Sequence, residues 1–226
     1  NEADFIITNP PFSLFREFLA WIVEGKKQFA VIGNMNAITY KEVFPLIKGN
    51  KVWLGATNFN VGMYFFVPKG FVYKDSYKFI REMDGKAVNR VPGVCWYSNI
   101  EHGRRHEPLP LMSMADNLRF SKHKELKGKT AYDRYDNYDA IEVPFTDAIP
   151  SDYDGVMGVP ISFLDKYCPE QFEILGITDR GNEWALKVKE YTSFDTPNFA
   201  DLNRRGAIWN SGFLVSTYAR LLIRKL

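Results

Sequence analysis

Cysteine is scarce in this chain: Cys95 and Cys168 are the two among 226 residues. A fold stapled by disulfides is excluded at that density, and a reducing cytosol is the fitting compartment. No apolar run approaches the ~20 residues a helix needs to span a bilayer. The opening Asn1-Glu2-Ala3-Asp4 lacks the charged-then-apolar order of a secretory leader. Neither sign of charge dominates, since 29 Lys and Arg face 27 Asp and Glu for a net of +2. Bulk charge therefore neither predicts nor excludes a nucleic-acid partner; only clustering on one face would matter. No glycine pair sits between a strand and a helix, Pro68-Lys69-Gly70 reads as a turn rather than a phosphate loop, and no G-x-S-x-G is present. Position 1 is not Met, and the chain opens at once on an apolar run. The expectation is a fragment whose front portion is missing.

Aromatic residues, by contrast, are plentiful: 18 Phe, 12 Tyr and 5 Trp make up 15% of the chain. Most such rings fill cores. Some can stack on extruded or single-stranded bases.

Apolar periodicity organises the first hundred residues. Asp4 to Thr8 reads as a buried strand that must end at Asn9-Pro10-Pro11, because two prolines cannot continue a strand interior. Leu14, Phe15, Phe18, Leu19 and Ile22 recur at helical spacing, which predicts a helix over Ser13–Glu24 capped by Ser13 and stopped by Gly25. Gln28 to Met35 is a second continuous apolar strand. Strand, helix and strand without alternation predict a parallel sheet covered on both faces. A helix over Thr39–Lys48, strands at Lys51–Gly55, Met63–Val67 and Val94–Ile100, and a loop over Thr57–Asn60 complete this part. Residues 1–100 thus read as half of a doubly wound α/β fold.

After residue 100 the texture changes, and Pro, Tyr, Asp and Gly become frequent. Residues 101–226 read as a separate mixed α+β region. Ala140–Pro144, Val156–Ile161 and Phe172–Ile177 are strand-like, Phe163–Cys168 is a helical turn, and Gly212–Lys225 fits strand or helix. Basic residues cluster at Arg104-Arg105, Lys122 to Lys129 and Arg204-Arg205. Each cluster alone is an ordinary solvated loop; converging on one face, they would neutralise phosphates. Asn203, Arg204, Arg205 and Asn210 have side chains able to read base edges.

The residues at the end of the first strand suit one chemistry. An exocyclic amino nitrogen is a poor nucleophile because its lone pair is delocalised into the ring. Acceptors for both amino hydrogens favour a pyramidal nitrogen with its lone pair directed outward. A rigid side-chain amide oxygen and a backbone carbonyl would serve. Asn9 supplies the first and Pro10 the second, Pro11 stiffens the turn, and Phe12 offers a flat face for a base. Ligands of open parallel sheets sit outside the carboxyl ends of strands. The plain alternative is a strand-ending loop, but the flanking strand, helix and strand favour the site.

DFIITNPPFSLFREF (4–18) resembles the catalytic segment of adenine-specific DNA methyltransferases of the EcoRI modification-methylase type. KVWLGATNFNVGMYFFVP (51–68) and MGVPISFLDKYCPEQFEILG (157–176) are similar to the same group. The resemblance implies a Rossmann-like methyltransferase sheet followed by a target-recognition region. It implies S-adenosylmethionine as donor, double-stranded DNA as substrate, and a bacterial or phage-encoded restriction-modification setting. By the same resemblance Asn9 and Pro10 hold the adenine amino group, Phe12 stacks on the base, and Phe59 packs on it as a second aromatic, with a core ring the alternative for Phe59. Arg104, Arg105, Lys122, Lys124, Lys127, Arg204 and Arg205 are the expected DNA contacts. The glycine-rich cofactor loop has no counterpart ahead of Asn9, so the cofactor-binding loop is expected to lie outside this chain. A monomer is the expected state. A metal site on Cys95, His102, His106 and Cys168 is not expected, because no CxxC pair exists and Gly103 with Pro108 argues for a loop. Alternatives are a non-catalytic DNA-binding module derived from such an enzyme and a methyltransferase acting on RNA or protein glutamine. The extra region 101–226 favours a duplex reader.

Overall fold

The computed structural model describes residues 3–57, 59, 61–71, 80–179 and 186–226. Two four-stranded sheets form its frame, and two small antiparallel units are attached to them.

The first sheet begins with β1 (Phe5–Thr8), which enters a 3-10 turn over Phe12–Leu14 and then α1 (Phe15–Glu24). The predicted Ser13 cap is not used. The Pro11 carbonyl accepts from Leu14 N at 3.0 Å, so the proline-fixed turn feeds the helix through its own backbone. Gly25 ends the helix as expected, yet with φ −69° it is not the left-handed residue; Lys26, at φ 51°, takes that conformation. Phe15, Leu19 and Ile22 form the buried stripe of α1. Burying each adds on the order of 1.5–3 kcal/mol by area.

β2 (Gln28–Asn34) pairs parallel with β1, as the two continuous apolar runs predicted. The expected helix Thr39–Lys48 shrinks to α2 (Phe44–Lys48), with a separate 3-10 turn over Met35–Thr39. Pro45 sits in the first turn of α2, where its missing N–H costs nothing, and a helix arriving from upstream could not run through it. β3 (Trp53–Leu54) is a short edge strand. Part of the expected loop over Thr57–Asn60 lies outside the described residues.

β4 (Met63–Phe66), β5 (Ile80–Met83) and β6 (Lys86–Val91) form an antiparallel sheet in the order β4-β6-β5. Asp84 and Gly85 turn the β5–β6 hairpin, with φ 51° and 70°. That is the geometry an Asp-Gly pair favours. β7 (Val94–Ser98) then returns to the first sheet between β2 and β3, antiparallel to both. The order is β1-β2-β7-β3. Since β2 and β3 both oppose β7, three strands share one direction, and the purely parallel expectation is corrected to a mixed sheet. The expected cover on both faces also fails at β1, whose burial alternates between exposed and half-buried.

In the second region α3 (Met114–Phe120) starts at Ser113, whose hydroxyl accepts from Asp116 N at 3.1 Å. β8 (Ile141–Glu142), β9 (Met157–Pro160) and β10 (Phe172–Ile177) follow, the last with the predicted bounds. α4 (Phe199–Leu202) leads to the hairpin of β11 (Ala207–Asn210) and β12 (Phe213–Ser216), and the chain closes with β13 (Arg220–Lys225). The ambiguous run Gly212–Lys225 therefore resolves into strands. β13 lies between β10 and β9, with Leu221, Leu222 and Ile223 fully buried. A central strand covered on both faces is apolar without alternation, which is why its sequence alone could not be told from a helix.

Buried residues of both sheets, from Phe15 to Ile223, belong to one continuous core cluster. The change of texture near residue 100 marks a change of sheet within that core. No described helix is long and apolar enough to cross a membrane.

Candidate active site and DNA face

Asn9 stands exposed at the carboxyl end of β1, with Pro10 buried beneath it and Phe12 43% exposed beside it. Neither the Asn9 amide nor the Pro10 carbonyl has a hydrogen-bond partner among the described residues. α1 is drawn tightly under this tip. A Cβ at Gly33 would come within 2.5 Å of the Phe15 ring and 2.8 Å of Tyr97, so only glycine at this point of β2 lets the helix approach. Gly33 is thus a packing residue. The Phe15 and Tyr97 rings meet at 5.0 Å, and the Tyr97 hydroxyl donates to the Asn34 carbonyl at 2.8 Å. Burial pushes that phenol well above its usual range, and it stays a neutral donor.

A cavity of about 280 Å³ opens against the tip. Asn9, Phe12, Ile32 and Val94 line one side; Phe65, Phe66, Phe71 and Asn89 line the other. Its volume approaches the ~300 Å³ at which small-molecule pockets begin. Sequence reasoning placed Phe65 and Phe66 on a strand but missed that they wall this cavity, and missed Asn89 altogether. Asp84-Gly85 signalled the β5–β6 hairpin, but nothing local signalled the pairing of β6 with β4 that brings Asn89 beside Phe65.

Phe59 is not part of this wall. It is 2% exposed, belongs to the core cluster, and its backbone N–H donates to Asp165 Oδ1 at 3.2 Å. The same carboxylate accepts from Arg104 Nη2 at 2.8 Å, while Arg104 Nη1 donates to the Ala56 carbonyl at 2.9 Å. Arg104 therefore latches the loop after β3 to the second region. Arg105 is 6% exposed, paired with Glu101 at 2.6 Å and stacked over Trp53 at 4.0 Å, and it also bonds Asn50. Arg205 pairs with Asp179. These three arginines of the expected DNA set are thus paired with carboxylates of this chain, and Arg105 is buried as well. Lys122, Lys124, Lys127 and Arg204 are exposed.

A second, larger groove of about 810 Å³ lies in the second region. Lys124 and Lys129 stand on one side and Trp209, Asn210 and Tyr218 on the other, with Glu142 and Arg220 among its lining residues. Arg220 Nη2 meets Glu142 Oε1 at 2.6 Å, and the buried Tyr135 hydroxyl donates to the same carboxylate. Burial and the neighbouring carboxylate push Tyr135 well above its usual range.

His102 and His106 do not face a common point. His102 Nε2 lies 2.9 Å from the Leu54 carbonyl, whereas His106 bridges Glu101 at 3.0 Å and Glu170 at 2.7 Å. The two carboxylates raise the His106 pKa. Cys95 is buried, which pushes its thiol up to about 12, and Cys168 is buried elsewhere beside Glu170. Among the described residues no group of three or more His, Cys, Asp or Glu has the arrangement to hold a metal ion.

Comparison with known proteins bears on this geometry. The chain is 44% identical over 192 residues to the type II methyltransferase M.EcoRI of Escherichia coli, covering 83% of this chain and 54% of that protein. It is 36% identical over 176 residues to the type II methyltransferase M.MpnI of Mycoplasma pneumoniae, covering 77% and 51% respectively. The type II methyltransferase M.MgeORF184P of Mycoplasma genitalium is 36% identical over 229 residues, covering 99% and 65%. The chain thus spans about half to two thirds of the length of these relatives. No solved structure matches it. A family profile described as "Adenine-specific methyltransferase EcoRI" matches residues 1–226, and the chain belongs to that family.

Proposed function

We propose that this chain carries the acceptor-base half of a site-specific DNA adenine-N6 methyltransferase of a restriction-modification system. The observation that carries the reading is the Asn9 amide lining an aromatic-walled cavity, followed in the chain by the Pro10 carbonyl, with neither acceptor bonded by a described residue. Two acceptors set side by side fit an amino group with two hydrogens to donate. Held this way, the N6 lone pair is turned out of conjugation toward an electrophile. Phe12 supplies a stacking face for a base swung out of the duplex, and Phe65, Phe66 and Phe71 keep water from it. Phe59, a buried core ring that does not line the cavity, is left out of the base contacts.

S-adenosylmethionine, when bound, would supply an electrophilic methyl on a sulfonium sulfur. The residues around Asn9 fit the reacting end of such a donor: an apolar cavity free of competing nucleophiles. Among the described residues no acidic side chain lines it to hold ribose hydroxyls. With such a donor bound, the amino group held by Asn9 and Pro10 would take the methyl from sulfur and give up one N6 proton to water. No covalent bond to the protein is needed, because N6 is itself the nucleophile. The first sheet serves as part of a Rossmann-like methyltransferase sheet. Residues 101–226 serve as the target-recognition region, with Lys122, Lys124, Lys127 and Arg204 on the duplex phosphates and the 810 Å³ groove beside them.

Asn9→Ala in the complete protein tests the reading. Methyl transfer to DNA should fall about 100- to 1,000-fold, the usual cost of one preorganised polar group, while duplex binding stays near wild type. Near wild-type transfer by that variant would refute the role of Asn9.

A further inference from the structure

We propose that Asn89 is a specificity-determining residue that reads the ring edge of the target adenine. In this assignment its side-chain amide donates a hydrogen bond to a ring nitrogen flanking the amino group. The inference rests on the reading of the Asn9 cavity given above.

Register fixes where Asn89 stands. Phe65 pairs with Asn89 and Met63 with Val91 across β4 and β6, and directly opposed residues project to the same face. That face is Met63, Phe65, Val67, Asn89 and Val91, apolar except for one amide. Phe65, Val67, Asn89 and Val91 all line the cavity that Asn9 lines from the other side. Asn89 is half-buried, and no described residue bonds its side chain. A half-buried amide on an apolar wall, bonded by no described residue, is open to a partner that arrives with the ligand.

The chemistry of the base supplies the reason. Asn9 and Pro10 act as acceptors and grip any exocyclic amino group, that of cytosine or guanine included. What marks adenine is an acceptor nitrogen beside the amino group on each side, N1 and N7, with no carbonyl on either edge. A donor is needed to read one of them, and among the described residues lining the cavity only Asn9 and Asn89 have polar side chains. With Asn9 committed to the amino group, Asn89 is the donor left.

The test uses the complete protein with S-adenosylmethionine and a target duplex whose adenine is replaced by 1-deazaadenine or 7-deazaadenine, each lacking one ring acceptor. Wild type should lose about 10- to 100-fold in kcat/KM on one of the two analogues, the usual range for one buried hydrogen bond. Asn89→Leu, of similar volume, should lose a similar factor on natural adenine and little more on that same analogue, since the bond is already gone. Duplex affinity should stay unchanged. Asn89→Ser serves in place of the leucine variant should that fail to fold. Equal rates of wild type and variant on adenine, or penalties that multiply on both analogues, overturn the assignment while leaving the Asn9 reading intact. A wild-type protein that transfers nothing to adenine overturns both.

Discussion

The two four-stranded sheets handle exposure in opposite ways. In the first, β1 lies at the edge with Ile7 71% exposed, and no described residue bonds the Asn9 amide or the Pro10 carbonyl at its tip. In the second, β13 lies between two neighbours, its Leu221, Leu222 and Ile223 are fully buried, and its Arg220 is paired with Glu142. A closed core needs each buried polar group satisfied within the fold. A site needs groups that remain unsatisfied until a ligand comes. Arg104, Arg105 and Arg205, expected to touch DNA, are paired within the fold, whereas no described residue bonds the side chain of Asn9 or Asn89.

Removing one side of the buried pair should break the contrast most severely. Glu142→Ala leaves Arg220 and Tyr135 facing an uncompensated charge site and should cost about 3–5 kcal/mol, measured by urea unfolding. Next come matched truncations on the two sheets. Ile223→Ala should cost about 2–5 kcal/mol as a core cavity, whereas Ile7→Ala in this 226-residue chain should stay within about 0.5 kcal/mol. Equal costs would mean that the two strands are not differently covered. The mildest test concerns the exposed lysines. Replacing Lys122, Lys124 and Lys127 together by Ala should weaken duplex binding at low salt and reduce the slope of log K against log salt by up to about 2.7, at about 0.9 per phosphate contact. An unchanged slope would move the DNA face elsewhere.

Particular residues show how far the sequence could be read. The Asn9-Pro10-Pro11-Phe12 tip was legible because proline chemistry must end the strand there, and β10 was legible because its apolar run has clear ends. Ser13 was misread as a cap because the preceding prolines already shape the helix entry through the backbone. Arg104, Arg105 and Arg205 looked like a basic surface because nothing local reveals Asp165, Glu101 or Asp179 waiting to pair with them. Asp165 and Asp179 are distant in the chain from their partners; Glu101 is near Arg105, but the burial of that pair is a tertiary matter.

By itself the sequence determined the parallel pairing of β1 with β2, the position of the amide-and-carbonyl tip, and the family. Those rest on short-range chemistry: fixed proline dihedrals, apolar runs, and a motif contiguous in the chain. Only the tertiary structure decided that β7 runs antiparallel between β2 and β3, that Phe59 is a core ring, and that Asn89 and Asn9 line one cavity. These depend on pairing between residues far apart in sequence, where the partner that satisfies a polar group, or leaves it open, is chosen by the whole fold.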